Sequence, residues 1–298
     1  MVLLISSSSS AATITHETTN NNQEIKTTTT TQCPTESQHP VVLIPGLMAS
    51  IMEGHLSGVP SKDLPQPLCA RNSDGWDVLW IKVSNLLPWS FDCLMHYLSI
   101  SWKDNSIPVN QAGVSTRIAQ GRNGLYAIDQ LDRTDTVVSE LSNMYHVAIE
   151  SLKKAGFVEG QTLFGLGTDW RHVPSDEWVG QLKVLIENAY TMNGNRRVVL
   201  VGHSLGCPYT FSFLNQQSIA WRRKHIEMYI PVAPVFSGTG MATFAMLGKA
   251  ILGWPYPLSE LGEVAQTVPS MFLLLPNEGY DMTSNAEKKN GNEQVKKQ

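Results

Sequence analysis

The chain has 298 residues, 42% of them hydrophobic and 16% charged, with a formal net charge of −4 and a pI near 6.1. That length buries a sizeable core in one large α/β domain or two modest ones. The mildly acidic balance leaves no basic footprint for nucleic acid, and no apolar run reaches the roughly 20 residues needed to cross a bilayer.

Met1 to Ile5 is a short apolar start that Ser6 to Ser10 ends early, short of the roughly 7–15 apolar residues of a secretory signal. No N-x-[ST] acceptor occurs. Residues 1–39, rich in Thr, Asn and Ser, read as a disordered leader, and 281–298 as a polar tail. The four cysteines are too few for a disulfide scaffold. Cys33 lies in the leader and Cys207 beside a serine turn, so Cys69 and Cys93 form one plausible pair, with free thiols throughout the competing reading.

In chain order, Val41 to Ile44 is a continuous apolar run closed by Pro45-Gly46, the pattern of a buried parallel strand. Residues 60–113 carry Trp76, Trp80, Trp89 and Trp102 among several prolines. That stretch is too long for a simple connection and reads as an inserted lid. Apolar residues at helical spacing predict helices over Thr136–Ala155, stopped by Gly156, and over Asp176–Tyr190. Strands are predicted at Gln161–Gly165, Val198–Val201 and Met228–Val235, with a helix over Cys207–Gln216. Strand–helix alternation with apolar strands predicts an α/β fold, a mostly parallel sheet covered on both faces, over residues 40–280.

Gly202-His203-Ser204-Leu205-Gly206 fits G-x-S-x-G directly after an apolar strand and before a helical stretch. This is the nucleophile elbow, in which a strained turn holds a serine hydroxyl clear of a sheet. Glycine is expected two residues either side because side chains there would collide across the turn. An oxyanion hole would follow from the Leu205 amide at the helix start and the Leu47 amide after the first strand. No phosphate loop, H-E-x-x-H or paired C-x-x-C is present, so neither cofactor nor metal is expected.

HPVVLIPG, PLCARN, W-x-x-LW, LLPWSFDC, AGVSTRI, TDWR, GHSLGC and AWRRKHIEMYI follow one another in order between Pro40 and Pro276. Together they resemble the lecithin–cholesterol acyltransferase family, which includes lysosomal phospholipase A enzymes. The resemblance implies an α/β-hydrolase fold with a lid. It also implies Ser204 as acyl-accepting nucleophile, Leu47 and Leu205 as oxyanion amides, and Cys69–Cys93 as a lid disulfide. Trp80 matches a lid tryptophan that meets the acyl chain. Asp169 and Arg171 match a run near the active-site wall, where a structural ion pair is the expected role, and Cys207 matches a packed free cysteine. The implied partners are a phospholipid acyl donor, a sterol or other alcohol acceptor, and a membrane or lipoprotein surface bound peripherally, in a secreted or lysosomal setting.

A serine nucleophile needs a base and an orienting acid, which in this fold follow it in the chain. The only histidine after Ser204 is His225, beyond the next helix and on the order of 20 Å away by helical rise. His225 is therefore expected at the surface, His203 is expected to pack away from the serine, and Asp281 is not taken as the acid. APVFSG (Ala233–Gly238) replaces the family's A-P-W-G-G. The expectation is a chain truncated at its C-terminal side, with the nucleophile half of the site and without the acid–base half. The competing readings are an inactive lipid- or partner-binding fragment and a general serine lipase or esterase.

Overall fold

The computed structural model describes residues 38–104, 106–132, 143–248 and 259–277. The expectations for the leader before residue 38, for Asp281 and the tail, and for the start of the helix from Thr136 lie outside the described residues.

The elements run β1 (Val41–Ile44), β2 (Met52–Leu56), β3 (Asp77–Trp80), α1 (Pro88–Leu98), β4 (Ile100–Lys103), β5 (Ile107–Asn110) and β6 (Val114–Ile118). They continue with α2 (His146–Lys154), β7 (Leu163–Gly165), α3 (Asp176–Met192), β8 (Val198–His203), α4 (Gly206–Gln216), α5 (Ile219–His225) and β9 (Ile226–Val232). After these come α6 (Gly240–Met246), α7 (Ser259–Thr267) and α8 (Pro269–Leu273). The central sheet has the order β7-β1-β8-β9, and every pairing in it is parallel. All four residues of β1 are buried, as a central parallel strand requires.

Helix α3 shows how sequence becomes packing. The Ser175 hydroxyl caps it by accepting from the Trp178 amide at 3.2 Å, and Asp176 and Glu177 meet the positive end of its dipole. Trp178, Leu182, Ile186 and Ala189 then form one buried stripe at helical spacing. Trp178 meets Tyr209 of α4 edge-on at 6.1 Å between ring centroids, so both helices cover one face of the sheet.

The segment expected to form a lid is folded. β2 and β6 pair antiparallel, with Leu56 opposite Val114, which brings the two ends of the intervening chain together. β3 adds to β2 to complete a three-stranded sheet, while β4 and β5 form a hairpin. Cys69 and Cys93 are joined in a disulfide that ties the stretch before β3 to α1.

Two expectations need correction. The last strand of the central sheet is Ile226–Val232, not Met228–Val235. It stops because Ala233 turns into positive φ (45°) ahead of Pro234, which has no amide to donate. His225 is not a surface residue: it is 6% exposed. The short helix α5, unforeseen because its apolar residues are sparse, carries the ring between Tyr190 and Trp221, with centroids 4.9 and 4.7 Å away.

Candidate active site

Parallel register assembles the site. Ile44 of β1 stands opposite Gly202 of β8, so the Pro45–Met48 loop and the serine turn leave the same edge of the sheet side by side. Ser204 lies between the end of β8 and the start of α4 with φ of 50°, a left-handed conformation unfavourable for a residue with a side chain. Its amide is held by the Val232 carbonyl at 2.9 Å, and its own carbonyl accepts from the Cys207 amide at 3.0 Å. Ser204 is half-buried, and no described residue hydrogen-bonds its hydroxyl.

The glycines have distinct reasons. A Cβ on Gly202 would sit 2.9 Å from the Gly206 carbonyl oxygen, the expected collision across the turn. A Cβ on Gly206 would meet a different neighbour, the carbonyl oxygens of Pro45 and Ile44 at 2.5 and 2.6 Å. The second glycine therefore exists so that α4 can start against the end of β1, which the motif alone does not reveal. Gly46 completes the contact, since a Cβ there would lie 3.0 Å from Ser204 Cβ.

Leu205 is 1% exposed and immediately precedes the first turn of α4; Leu47 is half-buried in the loop after β1. Neither amide is taken by a backbone acceptor among the described residues. Two N–H groups with no acceptor among the described residues thus stand on the two turns that converge at the serine.

The remaining candidates fall at stated places. Cys207 is a free, fully buried thiol whose Sγ lies 3.1 Å from the Gly202 carbonyl oxygen, and burial raises its pKa. Trp80 is 2% exposed; its indole N–H donates to the Met48 carbonyl at 2.8 Å and its ring meets Trp170 edge-on at 5.3 Å. Arg171 is fully buried and grips both Asp169 carboxylate oxygens at 3.0 and 2.7 Å, while also donating to Asn110, Thr116 and the Leu98 carbonyl. Burial works to raise the Asp169 carboxyl, but the charge and hydrogen bonds of Arg171 outweigh it, and the pKa falls below the ordinary aspartate value.

Among the described residues, no histidine hydrogen-bonds the serine hydroxyl. His203 precedes it, with its ring edge-on to Tyr145 at 6.0 Å, and burial lowers its pKa. His225 stands beside Ile226, which pairs with Val198 at the opposite end of β8 from the serine. Strand rise puts those ends on the order of 20 Å apart.

A hollow of about 370 Å³ opens beside the disulfide, lined in part by Leu56, Leu68, Leu79, Trp89, Leu94 and Tyr97. Ser204 and the two amides are not among its walls. Leu68 (82% exposed) and Trp89 (64% exposed) form its rim. Among the four tryptophans of the segment, Trp80 is core, Trp76 lies under the Arg117 guanidinium at 4.4 Å, and Trp102 donates to the Thr267 carbonyl at 3.1 Å.

Residues 76–297 match the family model described as Lecithin:cholesterol acyltransferase. The chain is 29% identical over 206 residues to the lysosomal phospholipase A and acyltransferase of Canis lupus familiaris, covering 67% of this chain and 48% of that protein. It is 27% identical over 240 residues to the phosphatidylcholine-sterol acyltransferase of Homo sapiens, covering 78% of this chain and 52% of the relative. The chain spans about half the length of the curated relatives it matches. With a parallel α/β sheet and a match over most of its length, this chain belongs to the lecithin:cholesterol acyltransferase family.

Proposed function

We propose that the chain contributes the nucleophile and oxyanion half of a lipid acyl-transfer site of the acyltransferase and phospholipase A kind. The observation carrying this reading is Ser204, held at φ 50° at the end of β8 beside the unpaired Leu47 and Leu205 amides. In the proposed reaction the Ser204 hydroxyl oxygen attacks the ester carbonyl of a glycerophospholipid. A C–O bond forms to the serine, the carbonyl oxygen takes negative charge between the two amides, and the lysophospholipid alkoxide leaves with the serine's proton, carried by a base. An alcohol, such as a sterol, or water then takes the acyl group by the reverse sequence. Each oxyanion donor of this kind typically contributes about 2.7–4 kcal/mol to barrier lowering.

The proton carrier is the part that the described residues around Ser204 do not supply, so the expected turnover of this chain alone on phospholipid vesicles is nil. Exposed Leu68 and Trp89, flanking the disulfide, support contact with a lipid surface, because indoles favour the membrane–water interface. The position of His225 at the far end of the sheet favours a second reading, a chain that binds lipid or a partner without turnover.

A fluorophosphonate probe, with imidazole added as an external base in place of the missing proton carrier, separates the two. Labelling that Ser204→Ala abolishes supports the armed serine; no labelling together with liposome binding supports the second reading. Fatty acid release by this chain at an enzyme-like rate would overturn the assignment of half a site.

A further inference from the structure

The folded insertion and the loop after β1 meet at one hydrogen bond. Trp80 is the last residue of β3 and stands opposite Met52, the first residue of β2, in the register of the small sheet. The loop that carries Leu47 runs directly into β2, so this pairing places the indole beneath the loop it supports. The indole N–H donates to the Met48 carbonyl at 2.8 Å, and the ring is fixed from the other side by Trp170, itself 4% exposed.

Met48 needs such a support. Its φ of 60° lies in the left-handed region, where a long side chain persists only when its surroundings hold it. Within the loop the only backbone bond is from the Ala49 amide to the Gly46 carbonyl, at a long 3.3 Å. Tyr145 meets the Gly46 backbone at the start of the turn, and the covered indole N–H is the donor that fixes the Met48 carbonyl at its other end. The residue before Met48 is Leu47, whose amide direction depends on the same turn.

We infer that Trp80 is a positioning residue for the oxyanion loop: its indole N–H, through Met48, aims the Leu47 amide at the position of the developing oxyanion. The inference rests on the proposed acyl-serine reading for its chemical consequence, and on geometry alone for the brace. It differs from an acyl-chain contact, since the ring is only 2% exposed and its polar edge is committed to the loop. The disulfide gains a role by the same path, because Cys69 and Cys93 lie on either side of Trp80 in the chain and anchor the segment that presents it.

The test compares the full chain with Trp80→Phe, which keeps an aromatic ring without the donor. A second variant carries β-(3-benzothienyl)alanine at position 80, which keeps the bicyclic shape and lacks only the N–H. Trp102→Phe is the control, because it removes an indole bond elsewhere in the insertion. Amide exchange of the peptide covering residues 45–51 is followed by mass spectrometry, together with the rate of Ser204 labelling by a fluorophosphonate with imidazole supplied as external base. The expected result is at least tenfold faster exchange at Ala49 and a tenfold slower labelling rate in both Trp80 variants, with the control unchanged and melting of the benzothienyl variant close to the parent. Unchanged exchange in the benzothienyl variant overturns the brace. Faster exchange with an unaltered labelling rate overturns the positioning role. If the parent is not labelled at all, the acyl-serine reading fails, while the exchange arm still decides the brace.

Discussion

At Ser204 the backbone takes a left-handed conformation whose cost a stability measurement can expose. A side chain at φ 50° is unfavourable by about 1–3 kcal/mol, and glycine relieves it without steric loss. Ser204→Gly is therefore expected to raise unfolding stability by about 1 kcal/mol in denaturant titration while removing fluorophosphonate labelling. A loss of stability instead would mean that the turn is not strained. Arg171 is the opposite case, a residue whose contacts hold separate parts of the fold together. It is fully buried with five donor contacts, so Arg171→Ala should lower stability by about 3–5 kcal/mol by leaving polar partners unpaired. Its partner Asp169 has a depressed pKa, so this pair's contribution is full above the ordinary aspartate value. It is lost as pH falls through the lower folded value. Acid titration of the melting temperature should show that loss, and Arg171→Ala should remove this part of the acid dependence.

The segment between β2 and β6, expected to be a lid, is tied down at several points. Its ends are paired through β2 and β6, its hairpin is bonded to α7 through the Ile100 amide and the Thr267 hydroxyl at 3.0 Å, and a disulfide crosses it. With a sequence separation of 24 between the cysteines, the chain-entropy model assigns the bridge about 3–4 kcal/mol. Replacing both cysteines by serine should lower unfolding stability by about that much, and reductant should bring the parent to the same midpoint. No response to reductant would show that the bridge constrains nothing the fold does not already hold. The helix α4 illustrates a different lesson. Its start depends on Gly206 clearing the Ile44 and Pro45 carbonyls, so the added Cβ of Gly206→Ala is pushed against backbone oxygens and should move the serine turn itself.

For the folded sheet, the two faces of β8 and β9 are unequally covered. Val198 and Leu200 are fully buried under α3 and α4, and Tyr229 donates to the Cys207 carbonyl at 2.8 Å on that side. The other face carries Val199, Val201, Ile230 and Val232 half-buried and Met228 at 52% exposure. Parallel sheets are normally covered on both faces, so this strip is open apolar surface among the described residues. Among the described residues β9 is also the edge strand, and Val232 accepts from Ser204, which turns alternate carbonyls toward β8 and leaves Pro231 facing outward, where its missing N–H breaks no bond of that ladder. The isolated chain should therefore enhance 8-anilinonaphthalene-1-sulfonate fluorescence and self-associate with rising concentration in sedimentation. Met228→Lys should weaken both. A monomer without dye binding would show that the strip is covered.

The sequence by itself determined what neighbours in the chain decide. A β-branched run, a glycine-flanked serine and a following helical stretch specify strand, turn and helix within a few residues, and an ordered series of spaced motifs carries the family. Helix α3 was legible for the same reason, with its cap, acidic first turn and apolar stripe all in one window. What only the tertiary structure decided were contacts between residues distant in the chain. Gly206 answers to Ile44 and Pro45, Trp80 to Met48, and His225 to Tyr190, and no local pattern encodes which surfaces meet. Local propensity sets the elements, whereas burial of a given side chain depends on the packing of elements far apart in sequence. That is why the serine turn could be read in advance and the buried histidine could not.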